Sequence, residues 1–244
     1  MDDQTLLEIL TEAVYAVRDA LAEVEDWGPA GTRPGQYRSD LAADRAALEV
    51  LHGAGLQVLS EESGVTGDDG PLLVVLDPVD GSTNAARGIP WFATSLCALD
   101  AEGMRAALVV HLVSGTAYHA VRGGGAKRDG EPIAASGCRE LSEGVIGVSG
   151  LPSHHPGWAQ FRALGAASLD ICAVAEGVLD GYTLAGRSWL HPWDYLGALL
   201  VSLEAGAVAA DLDDAVLVTG DAGRRRPTVA ATAPLLDSLL RAGI

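Results

Sequence analysis

Asp77 and Asp80 stand in the run Asp77-Pro78-Val79-Asp80-Gly81-Ser82-Thr83-Asn84, directly behind the apolar stretch Leu72-Leu73-Val74-Val75-Leu76. A buried strand here delivers two carboxylates, then a turn carrying glycine and hydroxyl groups. Hard-cation binding beside a phosphate cradle is the simplest chemistry for that order. Carboxylate oxygens suit magnesium, and free amides at a helix start receive phosphate. Pro78 stiffens the bend so that both carboxylates can approach one metal cluster, with the Val79 carbonyl as a further oxygen. Gly81 can relieve backbone crowding or take a positive φ. If residues 82–86 enter a helix, their first amides lack intrahelical acceptors, and Ser82 and Thr83 add hydroxyls. The bland alternative is an Asp-Gly turn with solvated acids. The complete run after a buried strand outweighs it.

Two distant carboxylates belong with this pair. Glu61 follows the strand-like Leu56-Gln57-Val58-Leu59, and Asp194 sits near a helix start at Pro192-Trp193-Asp194. Carboxylates gathered in one cleft repel unless protonated, well solvated or bound to cations. Asp40 and Asp44 are four apart and share a helix face. Taken alone, that pair is as consistent with a solvated face as with a functional one.

The elements that must position these groups follow from periodicity. Residues 5–26 place Leu6, Leu10, Val14, Val17, Leu21 and Val24 near one helical face. Residues 40–52 resume helical spacing, with Asp40 as the expected N-cap. Strands are expected at 56–59, 72–76, 92–99, 105–113 and 116–121, a meander that favours a substantial antiparallel sheet. The second half predicts a strand over 145–148 and helices over 154–163 and 166–176. A strand over 178–184 and a long helix from Pro192 to about Glu204 follow. Strands are expected at 208–210 and 216–218, and Pro234 opens a last helix. A boundary near residue 140 divides the chain into halves, 1–140 with most of the acids and 141–244 with Asp194, around a cleft.

Composition removes several function classes. The 244 residues carry a formal charge of -17, which opposes a broad nucleic-acid groove. It does not oppose a small phosphate ester, because bound divalent cations reverse the local sign. Cys97, Cys138 and Cys172 are scattered and odd in number, with no CxxC pair, so neither a disulfide framework nor a zinc site is expected. Met1-Asp2-Asp3 offers no basic region before an apolar core, and no stretch reaches the roughly 20 apolar residues of a membrane span. The cytoplasm is the expected location, with no nucleic-acid or membrane partner. Arg224-Arg225-Arg226 reads first as a solvated patch. Trp189 lines a pocket or supports a loop, and His191 is a candidate for supporting the site near Asp194.

The ordered elements Glu61-Glu62-Ser63, Asp77 to Asn84, and Trp193-Asp194 followed by Leu203-Glu204-Ala205-Gly206-Ala207 resemble the inositol monophosphatase family over almost the whole chain. The resemblance implies an α+β, layered α/β/α/β/α fold with a large mainly antiparallel sheet and a smaller second sheet. It implies magnesium-dependent phosphomonoester hydrolysis with two or three ions. Glu61, Asp77 and the Val79 carbonyl then correspond to ligands of the activating metal; Asp77, Asp80 and Asp194 correspond to those of a second. Glu61 helps hold a third ion through water, and Asp44 supports the site through water. Ser82 replaces the usual threonine that orients the attacking water. Gly81, Ser82 and Thr83 correspond to phosphate contacts, and Gly165-Ala166 lies on the substrate side. A homodimer is also implied.

This chain departs from the family at specificity positions. Arg33 and Arg38 stand where a lysine is common, and Gly165-Ala166 replaces a Gly-Thr pair. Gly186-Arg187-Ser188-Trp189-Leu190-His191-Pro192 stands where inositol phosphatases carry a substrate-facing glutamate. Arg187 is therefore a candidate contact for an anionic or polar leaving group, or a surface arginine. Inositol monophosphate is the first expected substrate. Histidinol phosphate, fructose bisphosphate and phosphoadenosine phosphate are alternatives, as is a noncatalytic role in binding metal or phosphoinositide.

Overall fold

Along Leu73–Asp80 successive side chains alternate between faces, yet Val74, Val75 and Leu76 are all buried. A strand apolar on both faces must be covered on both, and that requirement sets the layers. The computed structural model describes residues 1–31 and 35–244. Helices α1 (Asp3–Ala22) and α2 (Arg38–Gly53) precede strands β1 (Gln57–Ser60), β2 (Gly64–Thr66) and β3 (Leu73–Asp80). After the short helix α3 (Ser82–Arg87) come β4 (Ala93–Asp100), β5 (Gly103–His111), β6 (Ala117–Val121), β7 (Ala126–Arg128) and β8 (Glu131–Pro132). The second half comprises β9 (Val145–Ser149), β10 (Gln160–Arg162), α4 (Ala167–Ala175), β11 (Gly181–Leu184), α5 (Pro192–Glu204), β12 (Val208–Asp211), β13 (Pro227–Ala230) and α6 (Ala233–Arg241).

The large sheet has the order β2-β1-β3-β4-β5-β6-β7-β8. Its β1–β3 pair is parallel, and the pairs on either side are antiparallel. One face packs Val58, Val74, Leu76 and Leu108 under Leu6, Leu10, Val17 and Leu51 of α1 and α2. The opposite face packs Val75, Cys97 and Val109 against α4 and α5. The smaller sheet, ordered β10-β9-β11-β13-β12, covers the far side of those helices. Helix α6 then buries Leu235, Leu236 and Leu239 on its outer face. The result is the layered α/β/α/β/α arrangement. Every residue of α4 is buried, as a helix between two sheets requires. Among the described residues, no helix is long and apolar enough to cross a membrane.

Several local expectations are corrected. Helix α2 starts at Arg38 with Tyr37 as its N-cap, so Asp40 lies at the third helical position. Of the two readings left open for Asp40 and Asp44, the solvated face is excluded, since both are buried. Residues 154–163 form no helix: Pro156 and Gly157 interrupt the segment, and Gln160–Arg162 pairs in parallel at the edge of β9. Residues 216–218 form no strand. Leu217 turns its carbonyl to the Tyr195 hydroxyl at 2.6 Å, and Pro227–Ala230 takes the sheet position instead. Proline suits the first residue of that strand.

Gly197 sets how closely α5 approaches the large sheet. A β-carbon there would lie 2.7 Å from Ser95 Oγ and 3.1 Å from the Leu96 carbonyl oxygen. Alanine gains about 1 kcal/mol of helix propensity over glycine, but overpacking of this kind costs about 1–3 kcal/mol. Gly197→Ala is therefore expected to lower stability, by about 1 kcal/mol in urea unfolding. An increase would show that the helix–sheet gap is looser than described.

Candidate active site

Glu61 follows β1, and its amide donates to the Leu76 carbonyl at 3.1 Å. That bond extends the β1–β3 pairing by one step and sets Glu61 beside Asp77. Asp77 ends the regular part of β3. The register with β4 then shifts, so Asp80 resumes pairing opposite Ala93. The strand thus runs through the whole acidic segment with an irregularity between its two aspartates, a device that re-aims side chains. Asp194 arrives on α5, where Pro192 fits the first turn and Asp194 occupies the third position. One of its oxygens accepts the His191 amide at 2.6 Å. Ligand oxygens of Glu61, Asp77 and Asp194 all lie within 4.8 Å of one another.

Asp80 flanks this trio. The Ser168 amide donates to its Oδ2 at 2.7 Å, and the Ser168 hydroxyl donates to the same atom. Val79 is buried between the aspartates. Its amide donates to Asp77 Oδ1 at 3.0 Å, and its carbonyl accepts the Ser82 hydroxyl at 2.8 Å. Gly81 has φ 89°, and a β-carbon there would lie 3.1 Å from both the Ala166 β-carbon and the Trp91 carbonyl oxygen. Glycine is needed there for conformation and for space. Gly165 and Ala166 therefore lie directly against the Gly81 turn. Asn84 fastens that contact by donating to the Leu164 and Trp91 carbonyls, each at 2.8 Å. Thr83 is linked to the Tyr37 hydroxyl at 3.1 Å.

The other expected residues fall as follows. Asp44 is buried and accepts the hydroxyls of Ser60 and Ser63. The acid beside Ser82 is Asp40, itself fixed by the Tyr37 amide at 3.1 Å, while the Ser82 hydroxyl is given to the Val79 carbonyl. Ser168 and Asp40 were absent from the expected site. Asp40 carried a signal, its spacing from Asp44; Ser168 carried none, since it meets Asp80 across 88 residues. Arg38 pairs with Asp26 rather than entering the site, and Arg33 lies outside the described residues. Arg187 is exposed on the loop before α5. Cys97 and Cys172 are buried, and burial pushes both thiols up, which disfavours reactive thiolates.

Electrostatics test whether a cation fits. Burial, then the neighbouring Glu62 and Asp40, push the Glu61 carboxyl up to about 7. Burial and the charge of Glu61 push Asp77 well above the carboxylate range, and burial with Glu61 and Asp80 does the same to Asp194. Burial also lifts Asp80 and Asp40 to about 6. Glu61, Asp77 and Asp194 bring oxygens within 4.8 Å of one another. Carboxylates gathered so closely away from water are stable only with protons or cations among them. Among the described residues, no lysine or arginine forms an ion pair with Asp77, Asp80 or Asp194. A hard divalent cation fits this all-oxygen set.

The inositol monophosphatase family's sequence profile matches residues 38–242. The chain belongs to that family, whose members are metal-dependent phosphatases. It is 32% identical over 223 residues to a fructose-1,6-bisphosphatase/inositol-1-monophosphatase of Archaeoglobus fulgidus, covering 87% of each chain. It is also 32% identical over 240 residues to an inositol-1-monophosphatase of Mesorhizobium japonicum, covering 87% of this chain and 88% of that one. An inositol monophosphatase structure from Anabaena (Nostoc) sp. PCC 7120 superimposes with a TM-score of 0.80 at 27% identity. The match covers 98% of this chain and 95% of that one. The fold and the acidic cluster agree with membership.

The raised carboxyl ionisations give a signed prediction. Between about pH 4 and 7 the metal-free folded chain holds more protons at this cluster than the unfolded chain does, so the cluster's contribution to stability falls as pH rises through that window. A divalent cation must displace those protons. Calorimetric magnesium affinity is expected to strengthen about ten-fold or more from pH 5.5 to 7.5, with protons released to buffer. An affinity that is flat with pH, with no proton release, would remove the cluster as the binding site.

Proposed function

We propose that the protein hydrolyses a small phosphate monoester by direct attack of water, with inositol monophosphate as the first candidate substrate. The observation that carries this is the convergence of Glu61, Asp77 and Asp194 beside the Gly81-Ser82-Thr83 turn. Two relatives named as inositol-1-monophosphatases support the substrate choice, and the additional name of the Archaeoglobus protein adds fructose bisphosphate to the panel.

In this reading Glu61, Asp77, the Val79 carbonyl, Asp80 and Asp194 hold two or three magnesium ions. Magnesium so held would acidify a water and offset the charge of the phosphoryl group. The phosphate rests on the Gly81, Ser82 and Thr83 amides at the start of α3, which have no acceptor within the helix. Glu61 orients the attacking water. The Ser82 hydroxyl donates to the Val79 carbonyl at 2.8 Å, and the Asp40 carboxyl lies beside it. In this reading the hydroxyl turns from Val79 to Asp40, passes its proton there and takes one from the water, so the relay runs water, Ser82, Asp40. Asp44 then supports from behind, holding Ser60 and Ser63 where Glu61 leaves the strand. Gly165 and Ala166 border the substrate, and Arg187 faces the leaving group. The halves 1–140 and 141–244 thus close on one site.

Phosphate release from inositol 1-phosphate, histidinol phosphate, fructose 1,6-bisphosphate and phosphoadenosine phosphate tests the reading. Turnover is expected only with magnesium. Asp194→Asn should reduce it at least about a hundred-fold, since loss of a direct ligand exceeds the roughly 10–100-fold cost of losing a ligand's supporting partner. Asp68→Asn, in an exposed turn, should leave it unchanged. Folded, magnesium-loaded protein that releases no phosphate from any of the four would instead favour a binding role.

A further inference from the structure

The loop between β11 and α5 and the loop between β12 and β13 are fastened together directly in front of the Asp194 helix. Leu190 and Arg225 exchange two backbone hydrogen bonds, at 2.9 and 2.8 Å. His191 Nδ1 donates to the Ala222 carbonyl at 2.8 Å. The His191 ring stacks on Trp193, with centroids 4.6 Å apart and planes 23° apart, and the Trp189 ring meets it edge-on at 4.9 Å. The Arg224 guanidinium carbon lies 3.5 Å from the centroid of the Trp189 ring. A rigid ladder therefore runs from an exposed guanidinium to the residue whose amide holds Asp194.

Arg224 differs from its neighbours. Arg225 is held by the Val216 carbonyl at 2.7 Å and Asp221 at 3.7 Å. Arg226 is held by the Gly186 carbonyl at 3.1 Å and Asp213 at 3.3 Å. Among the described residues, Arg224 pairs with no carboxylate, in a chain with 33 acidic side chains against 16 lysines and arginines. An arginine that only needed charge compensation would have found it here. Its partner is an indole that is 40% exposed. Cation–π stacking fixes the plane of the guanidinium and leaves its N–H edge free for an anion.

We infer that Arg224, held flat on Trp189 at the outer end of the ladder that leads to the start of the Asp194 helix, selects phosphate esters whose leaving group carries a second anionic group. This deepens the phosphatase reading and rests on it, and within that reading it ranks fructose bisphosphate and phosphoadenosine phosphate, whose leaving groups carry a second phosphate, above inositol monophosphate. The acidic cluster handles the transferred phosphoryl group, and the clamped arginine pairs with a second phosphate or a carboxylate on the departing alcohol. Arg224 acts as a specificity residue, and Trp189 positions it.

The test uses two matched pairs, inositol 1-phosphate against inositol 1,4-bisphosphate and glycerol 2-phosphate against 2-phosphoglycerate. The pairs separate a phosphate from a carboxylate as the second anion. Wild-type protein with magnesium is expected to favour the second member of at least one pair in kcat/KM. Arg224→Ala should raise KM for that member about ten-fold, the size of one charge-assisted hydrogen bond. It should leave kcat, and both constants for the partner ester, within about two-fold. Trp189→Leu should give a smaller loss in the same direction, and Arg241→Ala on α6 none. Equal effects of Arg224→Ala on both members of each pair, or no wild-type preference, overturn the inference while the phosphatase reading stands. Wild-type protein that hydrolyses none of these four overturns the inference, and the phosphatase reading falls with it only where histidinol phosphate, fructose 1,6-bisphosphate and phosphoadenosine phosphate are left intact as well.

Discussion

Repulsion among buried and half-buried carboxylates is the constraint on which the rest of this structure depends. Glu61, Asp77 and Asp194 bring oxygens within 4.8 Å of one another, and Asp80 adds its charge at the side. No fold gathers such groups at neutral pH without protons or cations to separate them. Backbone hydrogen bonds do the gathering. The Glu61 amide on the Leu76 carbonyl sets the Glu61 backbone beside β3, while the Val79 amide on Asp77 and the His191 amide on Asp194 each hold a carboxylate directly. Asp77 and Asp194 cannot swing away without loss of those bonds.

The layers explain why acids so far apart in sequence meet. Burial on both faces of the large sheet forces α4 and α5 to lie between it and the small sheet. Gly197 lets α5 settle against Ser95 and Leu96, which carries the N-terminal end of that helix to the end of β3. From the start of α4, Ser168 reaches Asp80, and Gly165-Ala166 closes over Gly81. Apolar packing thus sets the distances, and the polar groups at the helix starts set the directions.

The densest part of the site was legible because it is local. Asp77 to Asn84 follows a five-residue apolar run, and Pro192 marks a helix start two residues before Asp194. Which of Asp40 and Asp44 lies beside Ser82 was not legible. It turns on where α2 begins, and its N-cap is Tyr37, a residue with no helix-start signature. The expected helix over 154–163 did not form because Pro156 and Gly157 interrupt the segment. Strand β13 was missed because it is four residues long and follows three arginines. The ladder from Arg224 to His191 joins two loops some 30 residues apart, and no periodic pattern encodes loop–loop contacts.

The most direct measurement is a crystal structure of the protein soaked in manganese at neutral pH, with anomalous differences recorded. Manganese takes the same hard oxygen ligands as magnesium and marks its position by scattering. Peaks bridging Glu61, Asp77 and Asp194, with a further oxygen from Asp80 or the Val79 carbonyl, are the expected result. Carboxylates that remain hydrogen-bonded to one another, with no anomalous peak between them, would contradict the claim that cations hold this site together.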